Sequence, residues 1–128
     1  MTNDKTVLVA VGDVFFYAKI REALTPRGYA LERLKSETGL AERLSKSRPS
    51  AMILDLNDSR LDTLALLRTI KTNTIWKDLP VLAFANHEDV DTWRQAKGAG
   101  IDKIVSRNEF SARTLALLEE LTVAPPAT

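Results

Sequence analysis

The chain has no cysteine and a single histidine, His87. The first absence removes disulfides, thiolate nucleophiles and thiolate metal sites together. The second removes any zinc centre built on a histidine cluster. Neither sign of charge dominates, since 18 Lys and Arg stand against 17 Asp and Glu for a net charge of +1. With no positive field and no stripe of mixed basic and aromatic residues, nothing here is suited to recruiting nucleic acid. No run approaches the ~20 apolar residues of a membrane span. Thr2-Asn3-Asp4-Lys5 is polar where a secretion signal would be apolar. A cytoplasmic domain without membrane contact is the expectation. A glycine-rich phosphate loop is lacking too, because Gly12 stands alone ahead of the first helix. A flavin or nucleotide binder of this architecture would lack its cradle.

What is present alternates. The 128 residues are the length of one domain with a single core. Short apolar runs take turns with amphipathic stretches, the pattern of an α/β domain with a parallel sheet. Val7-Leu8-Val9-Ala10-Val11 reads as the first strand, apolar on both faces as a central parallel strand is. Gly12-Asp13 breaks it, and Phe16, Ile20 and Leu24 then share one helical face. Pro26 and Gly28 close that helix. Tyr29 to Leu34 is a more polar strand suited to a sheet edge, and Leu40, Ala41 and Leu44 mark a short helix ended by Arg48-Pro49.

Ala51 to Leu56 is the third strand. Ser59 followed by Asp62 resembles a capping box opening a third helix, with Leu64, Leu67 and Ile70 as its buried stripe. Val81 to Ala85 reads as the fourth strand, Glu88 to Lys97 as the fourth helix, and Ile104 and Val105 as the centre of a short fifth strand. The last helix is expected from near Phe110, carrying Leu115, Leu118 and Leu121 until Pro125-Pro126 stop it. One domain over residues 1–123 is expected, with a short flexible tail or the start of a linker over 124–128.

In this order the chain resembles the CheY-like receiver domain of two-component response regulators, from about Val7 to Leu121. Ile20, Leu24, Gly28 and Tyr29 are similar to the end of that family's first helix. Ala51 to Asn57, with Asp62 seven residues past Asp55, resembles the segment around its phospho-accepting aspartate. Trp76-Lys77-Asp78-Leu79-Pro80-Val81 resembles the lead-in to its fourth strand, and Ala99-Gly100-Ile101-Asp102 the turn before its fifth. The resemblance implies a flavodoxin-like doubly wound sheet of five parallel strands in the order 2-1-3-4-5, with five helices. It also implies phosphorelay signalling, with a histidine kinase or a downstream signalling protein as partner and homodimer contacts in some members.

The same resemblance implies a site in which an acidic pair after the first strand and a central Asp hold Mg²⁺. A Thr or Ser ending the fourth strand and a Lys after the fifth contact the phosphoryl group. Asp55 is the candidate phospho-acceptor. The acidic pair falls on Val11 and Gly12, and the only carboxylate there is Asp13, one position late. The Thr/Ser position is Ala85, the Lys position Arg107, the following proline Asn108, and the Gly eight residues past Asp55 is Thr63. Asp55, Asn57 and Asp13 are thus the candidate ligands of a weakened Mg²⁺ site, since the ion wants near-octahedral oxygen ligands including carboxylates. Losing the hydroxyl at Ala85 removes a hydrogen bond of roughly 1–3 kcal/mol to a charged acceptor.

Arg107 keeps the positive charge of a Lys but not its shape, because its planar fork suits two-pronged pairing with a carboxylate. Arg107 is expected to pair with Asp55, fill the space of metal and phosphate, and lower the Asp55 pKa. Asp58 and Asp62 read as turn and helix-start residues, and His87 as an exposed loop residue.

Two functions follow. The first is a pseudo-receiver, not an enzyme, that signals by phosphorylation-independent protein–protein contact. The alternative is a phosphorylatable receiver that takes phosphate at Asp55 from a histidine kinase, with Asp13 and Arg107 as substitutes. For contact, the resemblance points to the face of the fourth helix, fifth strand and fifth helix, where Val90, Trp93, Arg94 and Ile104 lie. Trp and Arg are enriched at binding hot spots, although Val90 and Trp93 also have the spacing of residues that cover a core. Trp76 is expected to pack on the end of the sheet. Phe15, Phe16 and Tyr17 point about 100° apart on a helix, so one of them is expected at the pocket mouth or against a partner.

Overall fold

The computed structural model describes residues 5–122. Five strands form one sheet: β1 (Thr6–Ala10), β2 (Ala30–Arg33), β3 (Ala51–Asp55), β4 (Val81–Ala85) and β5 (Lys103–Ser106). Their order is β2-β1-β3-β4-β5 and every neighbouring pair is parallel, as expected. Parallel neighbours need crossovers. These are supplied by α1 (Val14–Leu24), α2 (Thr38–Lys46), α3 (Thr63–Thr72), α4 (Val90–Gly98) and α5 (Arg107–Thr122). No helix among the described residues is long and apolar enough to cross a membrane. The expected tail over 124–128, its Pro125-Pro126 stop and residue 123 lie outside the described residues.

Strand alternation divides the core into two layers. On one face Leu8, Ala10, Met52, Leu54, Val81, Ala83 and Ala85 pack with Leu40 and Leu44 of α2, Leu66, Leu67 and Ile70 of α3, and Ala96 of α4. On the other, Val7, Val9, Ile53, Leu82 and Phe84 pack with Phe16, Ile20 and Leu24 of α1 and with Phe110, Leu117 and Leu118 of α5. Every residue of β3 and β4 is buried, which is why those strands read as unbroken apolar runs. β2 alternates exposed with half-buried residues, as an edge strand does. At the centre of the second layer Phe84 stacks on Phe110 at 4.5 Å between ring centroids, and Phe16 lies 5.0 Å from Phe84.

Several boundaries differ from expectation for local reasons. α1 ends at Leu24 and continues as a single 3₁₀ turn over Thr25–Arg27, which Gly28 terminates at φ 91°. That left-handed backbone is open to glycine at little cost. The cap of α3 is Asp62, whose Oδ1 accepts from the Ala65 amide, and not Ser59. Starting at Thr63 sets the buried stripe at Thr63, Leu66, Leu67 and Ile70, leaving Leu64 half-buried. α5 begins three residues earlier than expected, directly from β5, with the Ser106 hydroxyl accepting from the Glu109 amide. Arg113 has non-helical angles (φ −132°, ψ 32°), a kink within that helix. The buried residues are Phe110, Thr114, Leu117 and Leu118, while Leu115 and Leu121 are half-buried and pack against the same layer.

The lead-in to β4 and the turn before β5 are tied together by one ion pair. Lys71 Nζ donates to the carbonyls of Lys77 and Leu79 and to Asp102 Oδ2 at 2.6 Å. The same Asp102 oxygen accepts from the Val81 amide. Trp76, expected on the end of the sheet, is half-buried and packs on the core layer of α2, α3 and α4.

Candidate functional site

The carboxyl ends of β1, β3 and β5 converge on a cleft of about 270 Å³ lined by Gly12, Asp13, Asp55, Asn57, Asp58, Ser59, Arg60 and Arg107. Open α/β sheets place ligands at this edge. Asp55 is the last residue of β3, pairs in register with Phe84, and is only 5 % exposed. Its Oδ1 accepts from the Asn57 amide at 2.9 Å, and its backbone carbonyl accepts from the buried Thr63 hydroxyl at 2.8 Å. Thr63 therefore fixes the start of α3 against the end of β3.

Arg107, the first residue of α5, reaches into this cleft. One guanidinium nitrogen lies 3.6 Å from Asp55 Oδ2, and the other lies 3.4 Å from Asp13 Oδ2. The expected contact with Asp55 is present, but the fork spans two carboxylates and does not clasp one. Beneath it, the guanidinium carbon sits 4.1 Å from the Phe16 ring centroid and 5.5 Å from that of Phe84. Cation–π attraction to those rings holds the cation over the second core layer. Ala85, at the Thr/Ser position, is buried toward the other layer and presents only a methyl group.

Asp13 caps α1, its Oδ1 accepting from the amides of Phe15 and Phe16 at 2.9 and 3.1 Å. Asp58 does more than form a turn. Its Oδ1 accepts from the amides of Arg60 and Leu61, while its Oδ2 accepts from the Gly12 amide across 46 positions of sequence. Arg33 braces the same β1–α1 loop, donating to the carbonyls of Val11 and Gly12 with its guanidinium over the Tyr17 ring. Neither Asp58 nor Arg33 was expected at the site, because both reach it through contacts that only the folded chain creates.

The electrostatics correct one expectation. Burial pushes the Asp55 carboxyl above its ordinary value, outweighing the Asn57 amide and the Arg107 charge that lower it, while Asp58 adds a smaller upward push. Desolvation penalises the ionised form more than one half-exposed cation compensates. Asp58 goes the other way. Burial acts against its charge, but the amides of Leu61, Arg60 and Gly12, with the Arg60 charge, together hold it below the ordinary carboxylate value.

Asp55→Asn is therefore expected to raise the melting temperature at pH 7, because it removes a charge that burial penalises. The folded carboxyl titrates above the ordinary 3.8. Ionised Asp55 thus costs stability above its folded value, and that cost disappears as pH falls below the ordinary one. The advantage of the variant should shrink in thermal melts as pH falls toward about 4 and vanish only below the ordinary value. An advantage that stays constant down to that pH would contradict this assignment.

The donor set fits Mg²⁺ poorly. Asp13 Oδ1, Asp55 Oδ1 and both Asp58 oxygens are engaged by backbone amides, and the remaining oxygens of Asp13 and Asp55 face Arg107. Mg²⁺ wants such oxygens aimed at one centre. No group of three His, Asp or Glu side chains among the described residues is arranged to hold a metal ion.

The expected contact residues separate into two kinds. Val90 and Arg94 are exposed on α4. Trp93 and Ile104 are half-buried and pack on the core, and the Trp93 indole donates to the Asn86 carbonyl at 3.0 Å. Of the three consecutive aromatics, Phe16 is buried, Tyr17 half-buried and Phe15 82 % exposed at the start of α1. His87 is exposed in the β4–α4 loop, as expected.

Comparison with known proteins gives a consistent result. Residues 7–119 match the model of the response regulator receiver domain. The response regulator MprA of Mycolicibacterium vanbaalenii is 28 % identical over 120 residues, covering 91 % of this chain. The match takes in 51 % of that relative, so the chain spans about half the length of the curated relatives it matches. The signal receiver domain of a response regulator from Bermanella marisrubri superposes with a TM-score of 0.81 at 23 % identity, over 94 % of this chain and all of that one. The phosphorylated cyanobacterial phytochrome response regulator RcpA superposes with a TM-score of 0.79 at 17 % identity, over 98 % of each chain.

Proposed function

The chain belongs to the response regulator receiver family, and from that premise we propose that it is a cytoplasmic signalling module acting by protein–protein contact without phosphorylation of Asp55. The observation that carries this reading is the placement of Arg107. Its guanidinium stands between Asp13 and Asp55 at 3.4 and 3.6 Å and rests on Phe16. The chain thereby supplies its own cation at the place where phosphoryl transfer needs a metal ion to neutralise developing charge. Ala85 offers no hydroxyl to a phosphoryl oxygen. The partner class is a histidine kinase or a downstream signalling protein, or a second copy of the chain, met through the α4 face around Val90 and Arg94.

One observation favours the alternative, a receiver phosphorylated at Asp55 from a histidine kinase. Asp58 brings a carboxylate to Gly12, within the region of the acidic pair, so the cleft holds more negative charge than positions 11 and 12 alone indicate. The experiment that separates the two is a Mg²⁺ titration with acetyl phosphate or beryllofluoride, followed by Trp fluorescence and intact mass. No mass gain and no saturable fluorescence change at millimolar metal are expected. A saturable change that Asp55→Asn removes would overturn the proposal in favour of the phosphorylated receiver.

A further inference from the structure

The β4–α4 loop is fastened to the end of β3 by one side chain. Asn57 Oδ1 accepts from the Asn86 amide at 2.6 Å, and Asn57 Nδ2 donates to Asp89 Oδ2 at 2.9 Å. Both ends of a single amide group are thus engaged, on partners at opposite ends of one short loop. Each partner is itself committed to α4. Asp89 caps that helix, accepting from the Thr92 amide and hydroxyl. The Asn86 carbonyl accepts from the Trp93 indole and the Asp89 amide, and its side-chain oxygen from the Glu88 amide. Asn57 is anchored in turn, because its own amide donates to Asp55 Oδ1.

We propose that the Asn57 side chain is a latch that holds the β4–α4 loop and the first turn of α4 in one arrangement, independently of any chemistry at Asp55. A turn that would otherwise be free to move as a hinge is pinned at both ends. A side chain able to donate at one end and accept at the other is needed, and an amide is the group that does both. The latch follows from the geometry alone. Its consequence, a contact face around Val90 and Arg94 that is presented in a single state, rests on the function proposed above.

Amide hydrogen exchange of the intact chain tests it. Asn57→Ala is expected to accelerate exchange at Asp89, Thr92 and Trp93 about tenfold or more, with amides of β1 and β3 unchanged. Asn57→Asp keeps the acceptor for Asn86 but sets a carboxylate against Asp89, and is expected to loosen the same amides should the alanine variant fold poorly. The reciprocal double variant Asn57→Asp/Asp89→Asn recreates the bond with its roles exchanged, and is expected to restore exchange to within about threefold of the parent. Asp55→Asn should leave the loop amides as they are. Unchanged exchange in Asn57→Ala and Asn57→Asp, or failure of the double variant to restore it, would overturn the latch. Equal loosening by Asp55→Asn would overturn its independence. Mass gain from a phospho-donor in the parent would instead count against the function proposed above, leaving the latch standing on its exchange pattern.

Discussion

Phe84→Ala is expected to remove roughly 3–5 kcal/mol of stability, the range for truncating a fully buried phenylalanine, with a fall in melting temperature on the order of 10–20 °C. Phe84 is 0 % exposed, stacks on Phe110 at 4.5 Å and touches Phe16 at 5.0 Å. Its ring fills the space between the sheet and the α1–α5 pair, where Phe16 and Phe110 pack on it and on each other, so its removal leaves a cavity bounded by three elements. The variant also takes away part of the aromatic floor beneath Arg107. Phe15→Ala is the matched control, since Phe15 is 82 % exposed and surface truncations fall within about 0.5 kcal/mol. Urea denaturation of both variants measures the contrast. A loss below about 1 kcal/mol for Phe84→Ala would mean that the ring cluster is not tightly packed.

Arg107→Glu should have the second largest effect, a loss of roughly 2–4 kcal/mol at pH 7. Breaking a buried ion pair costs about 3–5 kcal/mol. Arg107 is 41 % exposed, which reduces that figure, while the new like charge adds to it. The variant replaces the cation that bridges Asp13 and Asp55 with a further carboxylate. Asp55 already titrates high because it is buried, and losing the cation raises it further. The sign then runs one way: the loss is full where Asp55 is ionised and shrinks as acid protonates it, ending below the unfolded value of about 3.8. Arg107→Lys should fall between the parent and Arg107→Glu, because it keeps the positive charge but loses the planar fork that reaches both carboxylates and rests on Phe16. Thermal melts of the three proteins between pH 4 and 8 check the order. Arg107→Glu matching the parent at pH 7 would show that the guanidinium does not compensate the cleft.

The parts of this fold that were legible were those in which burial writes itself into local composition. β4 and all of β3 but its terminal Asp55 are apolar because both faces are covered, and their limits were read to within a residue. α5 was read late because Arg107, Asn108 and Glu109 show no apolar periodicity. A signal was nonetheless present, since Ser106 precedes Glu109 at capping-box spacing. In the same helix Leu118 is buried and Leu115 and Leu121 pack on the core as read, while the buried Thr114 and Leu117 were not singled out.

At the site, Asp55, Asp13 and Arg107 were expected and do meet. Asp58 at Gly12 and Arg33 at Val11 and Gly12 join segments far apart in sequence. The direction of the Asp55 shift was missed for a related reason: a sequence displays a candidate partner cation but not how much water the fold removes. The network of Asn57 with Asn86 and Asp89 was equally hidden, since each residue alone is ordinary loop chemistry.

The contact between Asp58 and Gly12 bears on the order in which this cleft can be rebuilt. A β-carbon on Gly12 would stand 2.6 Å from Asp58 Oδ2, closer than such atoms approach. A carboxylate introduced at position 12 by itself would collide with the one already lodged there, and would displace it from the Gly12, Arg60 and Leu61 amides. Removing Asp58 first strips those amides of their acceptor with nothing yet in its place. Either single step goes downhill in stability before the second can recover it. The cleft behaves as a ratchet, and a designer wishing to restore an acidic pair must change positions 12 and 58 together.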